Sequence, residues 1–165
     1  MTSRVLRKTE DFEEFYERHW KYVYRLCFTY MGNEADAENC TEDVFVKVLT
    51  SPPSFCDAAH ERKWLTVTAA NLCKDRLRSR AVRAYEPLEG SEGIPAEEAE
   101  DYSDLRQAVL ALPVKYRELI FLYYYDGYDT GEIADMLARP PSTVRNQLRD
   151  AREALKKFLE DENYE

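Results

Sequence analysis

The sequence predicts an all-α chain of two small helical domains, an N-terminal bundle and a C-terminal helix-turn-helix, joined by an acidic flexible linker. Three observations predict it. Apolar residues recur at spacings of three and four on both sides of the chain's middle, the period of amphipathic helices. Alternation of strand type is absent except for a tyrosine-rich stretch, Phe121 to Tyr125, whose helical flanks make it a buried helix end. A run with glycines and prolines, from Tyr85 to Asp104, carries eight acids and no base, a composition that cannot bury itself. The domains are therefore read as 1–84 and 104–165, with 85–103 as the linker.

The first helix carries Phe12, Phe15, Tyr16, Trp20, Val23, Tyr24, Cys27, Phe28 and Met31 along one aromatic-rich stripe. Gly32 and Asn33, which tolerate a left-handed cap, end it. A second helix runs from about Glu34 to Leu49, with Cys40, Val44, Phe45, Val48 and Leu49 inward, and Pro52 and Pro53 stop it. A third runs from near Ala59 to about Val82 around Leu65, Ala69, Leu72, Cys73 and Leu77. After the linker, Leu105, Ala108, Val109 and Leu112 form a short helix closed by Pro113, which suits the first turn of the next. Asp126-Gly127 is a turn. Asp129 followed three residues on by Glu132 is a capping box opening a helix through Leu137. A break at Ala138-Arg139-Pro140-Pro141 precedes the last helix.

The formal net charge of the 165 residues is -9, which should repel DNA. Yet two basic islands stand out. Asn71 to Ala84 holds five bases against Asp75 alone, and Arg139 to Lys157 holds six against Asp150 and Glu153. On the last helix Val144, Leu148, Ala151 and Leu155 face inward, which turns Arg145, Asn146, Arg149 and Arg152 outward. An α-helix fits the major groove, where arginine forks onto guanine and asparagine onto adenine. Ser142 and Thr143 open the helix, where hydroxyls and free N–H groups suit phosphate. Lys156 extends the same basic surface. The alternative is a solvated basic face, to which the preceding helix and turn are evidence against.

The end of the third helix offers a second basic surface. Asn71, Lys74, Arg78 and either Lys63 or Arg80 can share a polar face, with Trp64 nearby, the charge and flat ring that single-stranded or melting DNA needs. The alternative for Trp64 is a place in the core. The second helix presents Glu34, Asp36, Glu38, Glu42 and Asp43 with Asn39 among them. Acids in a first turn favour the macrodipole, but Glu42 and Asp43 lie further along, and an acidic face beside Phe45 suits a basic protein partner.

No catalytic constellation, glycine-rich phosphate loop or metal motif is legible, so no enzyme activity, cofactor or metal is expected. Cys27, Cys40, Cys56 and Cys73 are widely spaced without a CxxC pair; Cys27 and Cys73 read as small hydrophobes, and a shared metal at Cys56 and His60 is disfavoured. Neither a signal peptide nor a membrane span is legible, which places the protein in the cytoplasm.

In order along the chain, Phe12-Glu13-Glu14-Phe15-Tyr16, Gly32 to Glu38, Thr41-Glu42-Asp43-Val44-Phe45, Lys63-Trp64-Leu65, Ala69 to Leu72, Asp75 to Arg78, Leu112-Pro113 to Arg117-Glu118, Glu132-Ile133-Ala134 and Ser142 to Arg152 resemble the extracytoplasmic-function group of bacterial RNA polymerase sigma factors. The resemblance covers nearly everything outside the linker. It implies a promoter-specificity subunit that binds core RNA polymerase and directs initiation. Asp36, Glu38, Asn39, Glu42, Asp43 and Phe45 would bind polymerase, whose largest-subunit clamp and flap are the implied contacts. Lys63, Trp64, Asn71, Lys74, Arg78 and Arg80 would grip the minus-ten element. Ser142, Thr143, Arg145, Asn146, Arg149, Arg152 and Lys156 would read the minus-thirty-five element. It also implies an anti-sigma factor as partner and no direct membrane contact. The chain departs from the family pattern at Ala138 and Arg139, where glycine and an apolar residue are usual, at Pro140, which replaces a usual capping hydroxyl, and at Asn39-Cys40. A helix-turn-helix repressor or activator that binds DNA without polymerase is the alternative, and a protein-interaction adaptor a third reading.

Overall fold

The computed structural model describes residues 4–5, 9–83 and 103–162. The expected acidic linker lies outside them. The chain divides into two compact units, Met1–Gly93 and Ile94–Glu165.

In the first unit, α1 (Thr9–Met31), α2 (Glu34–Thr50) and α3 (Ala58–Arg83) pack pairwise. Arg4–Val5 (β1) pairs antiparallel with Ser54–Phe55 (β2). That two-residue ladder carries no period a sequence pattern can register. Aromatic rings fill the α1 stripe: Phe15 stacks on Phe55 at 6.1 Å and meets Phe45 edge-on at the same separation. Val23, Leu26, Cys27, Val44, Leu65, Ala69 and Cys73 are buried between the three helices. Gly32, at φ 78°, makes the left-handed exit from α1. Asn33 takes the other job at this corner: it is extended, and its side-chain oxygen caps α2 by accepting the Asp36 N–H at 2.9 Å. Leu49, expected inward, is 54% exposed.

Among the described residues, ion pairs fasten α2 to α3. Arg76 donates to Asp43 at 2.6 Å, and Arg80 pairs with Asp36. On the other flank Glu61 of α3 takes His19 at 2.6 Å and Arg18 at 2.5 Å from α1. Burial pulls the His19 pKa down despite that carboxylate. Cys73 lies within hydrogen-bonding reach of Cys27 and Cys40, and these contacts, then burial, push its thiol pKa up. The three thiols therefore pack as core residues. Among the described residues no group of three or more ligating side chains could hold a metal ion, and no helix is long and apolar enough to cross a membrane.

In the second unit α4 (Ser103–Ala111), α5 (Val114–Ile120), α6 (Thr130–Leu137) and α7 (Pro141–Glu162) enclose Leu119, Leu122, Ile133, Val144, Leu148 and Ala151. The tyrosine-rich stretch is helical, a wide turn over Phe121–Tyr125 closed by the Asp126 N–H on the Phe121 carbonyl at 3.0 Å. The capping box forms: Asp129 accepts the Glu132 N–H at 2.7 Å, and Glu132 accepts the Asp129 N–H at 3.3 Å.

The Arg80 hydrogen bond, foremost, holds the Asp36 carboxyl below the usual carboxylate range. A depressed folded pKa means stability that is present above about pH 4 and lost as pH falls through the folded value. Arg80→Ala is expected to destabilise the first unit by about 1–2 kcal/mol at neutral pH. Asp36→Asn is expected to flatten the acid limb of the stability profile, both read by urea unfolding against pH.

Candidate functional site

The C-terminal surface begins with a turn. α6 ends at Ala138, a non-glycine residue held left-handed at φ 54° and ψ 49°. The Arg139 N–H bonds back to the Ala134 carbonyl at 3.0 Å. Pro141 then occupies the first helical position, where its missing N–H costs nothing, and the Pro140 carbonyl accepts the Val144 N–H at 3.2 Å. The three departures in the turn, Ala138, Arg139 and Pro140, thus still produce a helix-turn-helix.

Burial of Val144, Leu148 and Ala151 sets the rotation of α7. Ser142, Arg145, Asn146 and Arg149 are exposed, and Thr143 is half-buried. Arg149 has Asp150 at 3.8 Å, a loose exposed pair worth little. Arg152 is exposed but bent over the rings of Tyr123 and Tyr124, at 5.4 and 5.7 Å from their centroids. Lys156 stands a turn further, 3.9 Å from Glu160. The guanidinium and amide groups nearest the helix start are therefore the ones presented outward together, the arrangement a base-reading helix requires.

On α3, Lys63, Asn71 and Arg78 are exposed and Lys74 is half-buried, its ammonium 5.9 Å from the Tyr30 ring. Arg78 is tied to Asp75 at 2.5 Å. Trp64 is half-buried, edge-on to Phe55 at 5.8 Å, so part of its ring belongs to the core and part remains accessible. Arg80 does not share this face. Nine residues separate it from Asn71, two and a half turns at 3.6 residues each, and it points to α2, where it pairs with Asp36.

The α2 surface also differs from expectation. Glu38, Asn39 and Glu42 are exposed. Asp36 and Asp43 are engaged by Arg80 and Arg76. Phe45, expected to adjoin the acidic face, is 3% exposed and packs against Phe12, Phe15 and Tyr16. The apolar part of the face is instead Val46 and Leu49, 53% and 54% exposed. They follow Glu38 and Glu42 at helical spacing on one stripe. One signal could have found them: Val44, Phe45, Val46, Val48 and Leu49 are more apolar groups than one face of a helix can bury. Tyr124 and Tyr125 are 58% and 50% exposed, and no sequence pattern singles out either them or Arg139.

Comparison with known proteins follows the same division. Residues 15–83 match the family model for sigma-70 region 2, and residues 102–155 match that for sigma-70 region 4. The chain is 32% identical over 156 residues to the ECF RNA polymerase sigma factor SigW of Bacillus subtilis (strain 168), covering 84% of this chain and 83% of that protein. Among solved structures it resembles the sigma factor RpoE in a co-crystal with the anti-sigma factor NepR from Bartonella quintana. The TM-score is 0.73 at 21% identity, over 92% of this chain and 98% of that one. It also resembles CnrH, solved with the cytosolic domain of CnrY, with a TM-score of 0.65 at 21% identity over 93% and 90% of the two chains. At that identity the likeness is one of fold.

The turn yields a direct stability test. An L-residue in the left-handed region is strained by about 1–2 kcal/mol, more than the unfolded-chain freedom that glycine adds, about 0.4–1 kcal/mol. Ala138→Gly is therefore expected to raise the stability of the second unit by up to about 1 kcal/mol in denaturant unfolding.

Proposed function

The chain belongs to the sigma-70 family, as a sigma factor of the extracytoplasmic-function group, and we propose how its surfaces divide the work of a promoter-specificity subunit. A protein of this kind binds core RNA polymerase, recognises promoter DNA and directs transcription initiation. In our reading the start of α7 reads the minus-thirty-five element, with Arg145, Asn146 and Arg149 toward base edges and Ser142 and Thr143 toward phosphate. Lys156 adds charge along the same helix, and Arg152 acts through its seat on Tyr123 and Tyr124. Lys63, Asn71, Lys74 and Arg78, with the accessible part of Trp64, meet the minus-ten element. Arg80 serves the α2–α3 tie.

The polymerase-binding surface is proposed as Glu38, Asn39, Glu42, Val46 and Leu49 on α2, an acidic stripe with an apolar end suited to the largest-subunit clamp. The polymerase flap is the proposed contact of the second unit. The chain contributes recognition and no chemistry of its own, and works in the cytoplasm where polymerase works. An anti-sigma factor is proposed as its inhibitor, occupying surfaces that polymerase uses.

The observation that carries the reading is the outward set Arg145, Asn146 and Arg149 on a helix whose opposite side is buried. Transcription of a genomic DNA pool by purified core polymerase with and without the chain tests it. Discrete chain-dependent start sites are expected, and their absence would overturn the function. Arg145→Ala and Arg149→Ala are each expected to weaken recognition of the upstream element by about 1–3 kcal/mol. Val46→Glu with Leu49→Glu is expected to abolish co-purification with core polymerase while leaving the thermal melt unchanged, since both side chains are exposed.

A further inference from the structure

The turn before α7 lacks the two devices that ordinarily fix such a corner: a glycine at its left-handed residue, here Ala138, and a hydroxyl or carboxylate to cap the following helix, here Pro140. A third residue spans the corner. The Arg139 guanidinium donates through one nitrogen to the carboxylate of Glu118 in α5, and through another to Gln147 Oε1 in α7 at 3.1 Å. Glu118 is fully buried and the Arg139 side chain only 20% exposed. Gln147 sits between Asn146 and Arg149, within the segment proposed to read bases.

We infer that Arg139 is a positioning residue for promoter recognition: by forking between Glu118 and Gln147 it fixes the angle and rotation at which α7 meets DNA, without touching DNA itself. The inference rests on the proposed role of α7. Its physical basis is the planar fork of arginine, whose donors hold fixed relative directions. A guanidinium bound at both prongs therefore constrains two helices at once, which a lysine ammonium on a flexible stem does not. The buried Glu118 carboxylate supplies the fixed end, because a desolvated anion binds its cation in one geometry and cannot exchange it for water. The turn residue thereby ties α5 to the helix that reads.

Two variants separate positioning from stability. Arg139→Lys keeps a cation for Glu118 and loses the fork. Glu118→Leu with Arg139→Met replaces the ion pair by apolar side chains, a change that commonly preserves folding. Each full-length variant is compared with the unaltered chain on core polymerase, using its strongest promoter from the genomic pool with the upstream element intact or scrambled. Both variants should melt cooperatively and transcribe the scrambled template normally. The intact-to-scrambled ratio should fall about tenfold, the scale of one base contact. A ratio equal to the unaltered chain's in either folded variant overturns the inference. So does an Arg139→Lys chain that no longer melts cooperatively, because the residue is then needed for folding rather than aim. If the apolar pair alone fails to fold, Arg139→Lys decides. If the unaltered chain gives no chain-dependent transcript, the proposed function fails separately. NMR amide shifts of Arg139→Lys then read the tie directly: residues 142–149 should move while those of α6 hold, and unmoved α7 amides overturn it.

Discussion

Burial of Val144, Leu148 and Ala151 decides which way α7 faces, and the outward placement of that helix's charged residues follows from that rotation. Full burial of a side chain such as Val144 or Leu148 is worth about 1.5–3 kcal/mol. An exposed ion pair on the same helix is worth about 0–1 kcal/mol. The apolar stripe therefore wins any contest over orientation, and the charged residues occupy what remains. Arg145, Asn146 and Arg149 are outward because their helix neighbours are inward. The same logic orients α3, where Leu65, Ala69 and Cys73 are buried and Lys63, Asn71 and Arg78 are left on the exposed side.

Charge is the second layer. The chain is acidic overall, and several of its bases are spent on its own acids: Arg76 on Asp43, Arg80 on Asp36, Arg139 on Glu118. Other bases stay outward, among them Lys63 and Arg78 on α3 and Arg145 and Arg149 on α7, which form two modest cationic surfaces. In solution these make weak DNA ligands, since affinity grows with the number of phosphates neutralised. Bound to a large enzyme that already holds DNA, each acts at high effective concentration, and modest surfaces suffice. An acidic chain with two small basic faces is thus consistent with a subunit that reads DNA from a larger complex.

The sequence carried the fold well because period and punctuation are local. The aromatic stripe of α1, the Asp129–Glu132 capping box and the Pro141 start of α7 each depend on residues within a turn or two of one another. It carried the surfaces less well, because exposure depends on what packs from elsewhere. Arg80 read as one more base in a basic run, and only the position of Asp36 on α2 claims it. Phe45 read both as an inward residue and as a neighbour of the acidic face; it is inward, since α1 brings three rings against it, and Val46 and Leu49 are left outside. Arg139 pairs with Glu118, twenty-one residues back along the chain, and no local pattern points to that. The β1–β2 pair was silent for the same reason.

The most direct measurement is a footprint of the chain's own promoter with the isolated chain, with core polymerase, and with both. Protection of two separated stretches, near the minus-ten and minus-thirty-five positions, is expected only when chain and polymerase are present together. Protection of the same DNA by the chain alone at the same concentration, or of one stretch only in the complex, would contradict that expectation.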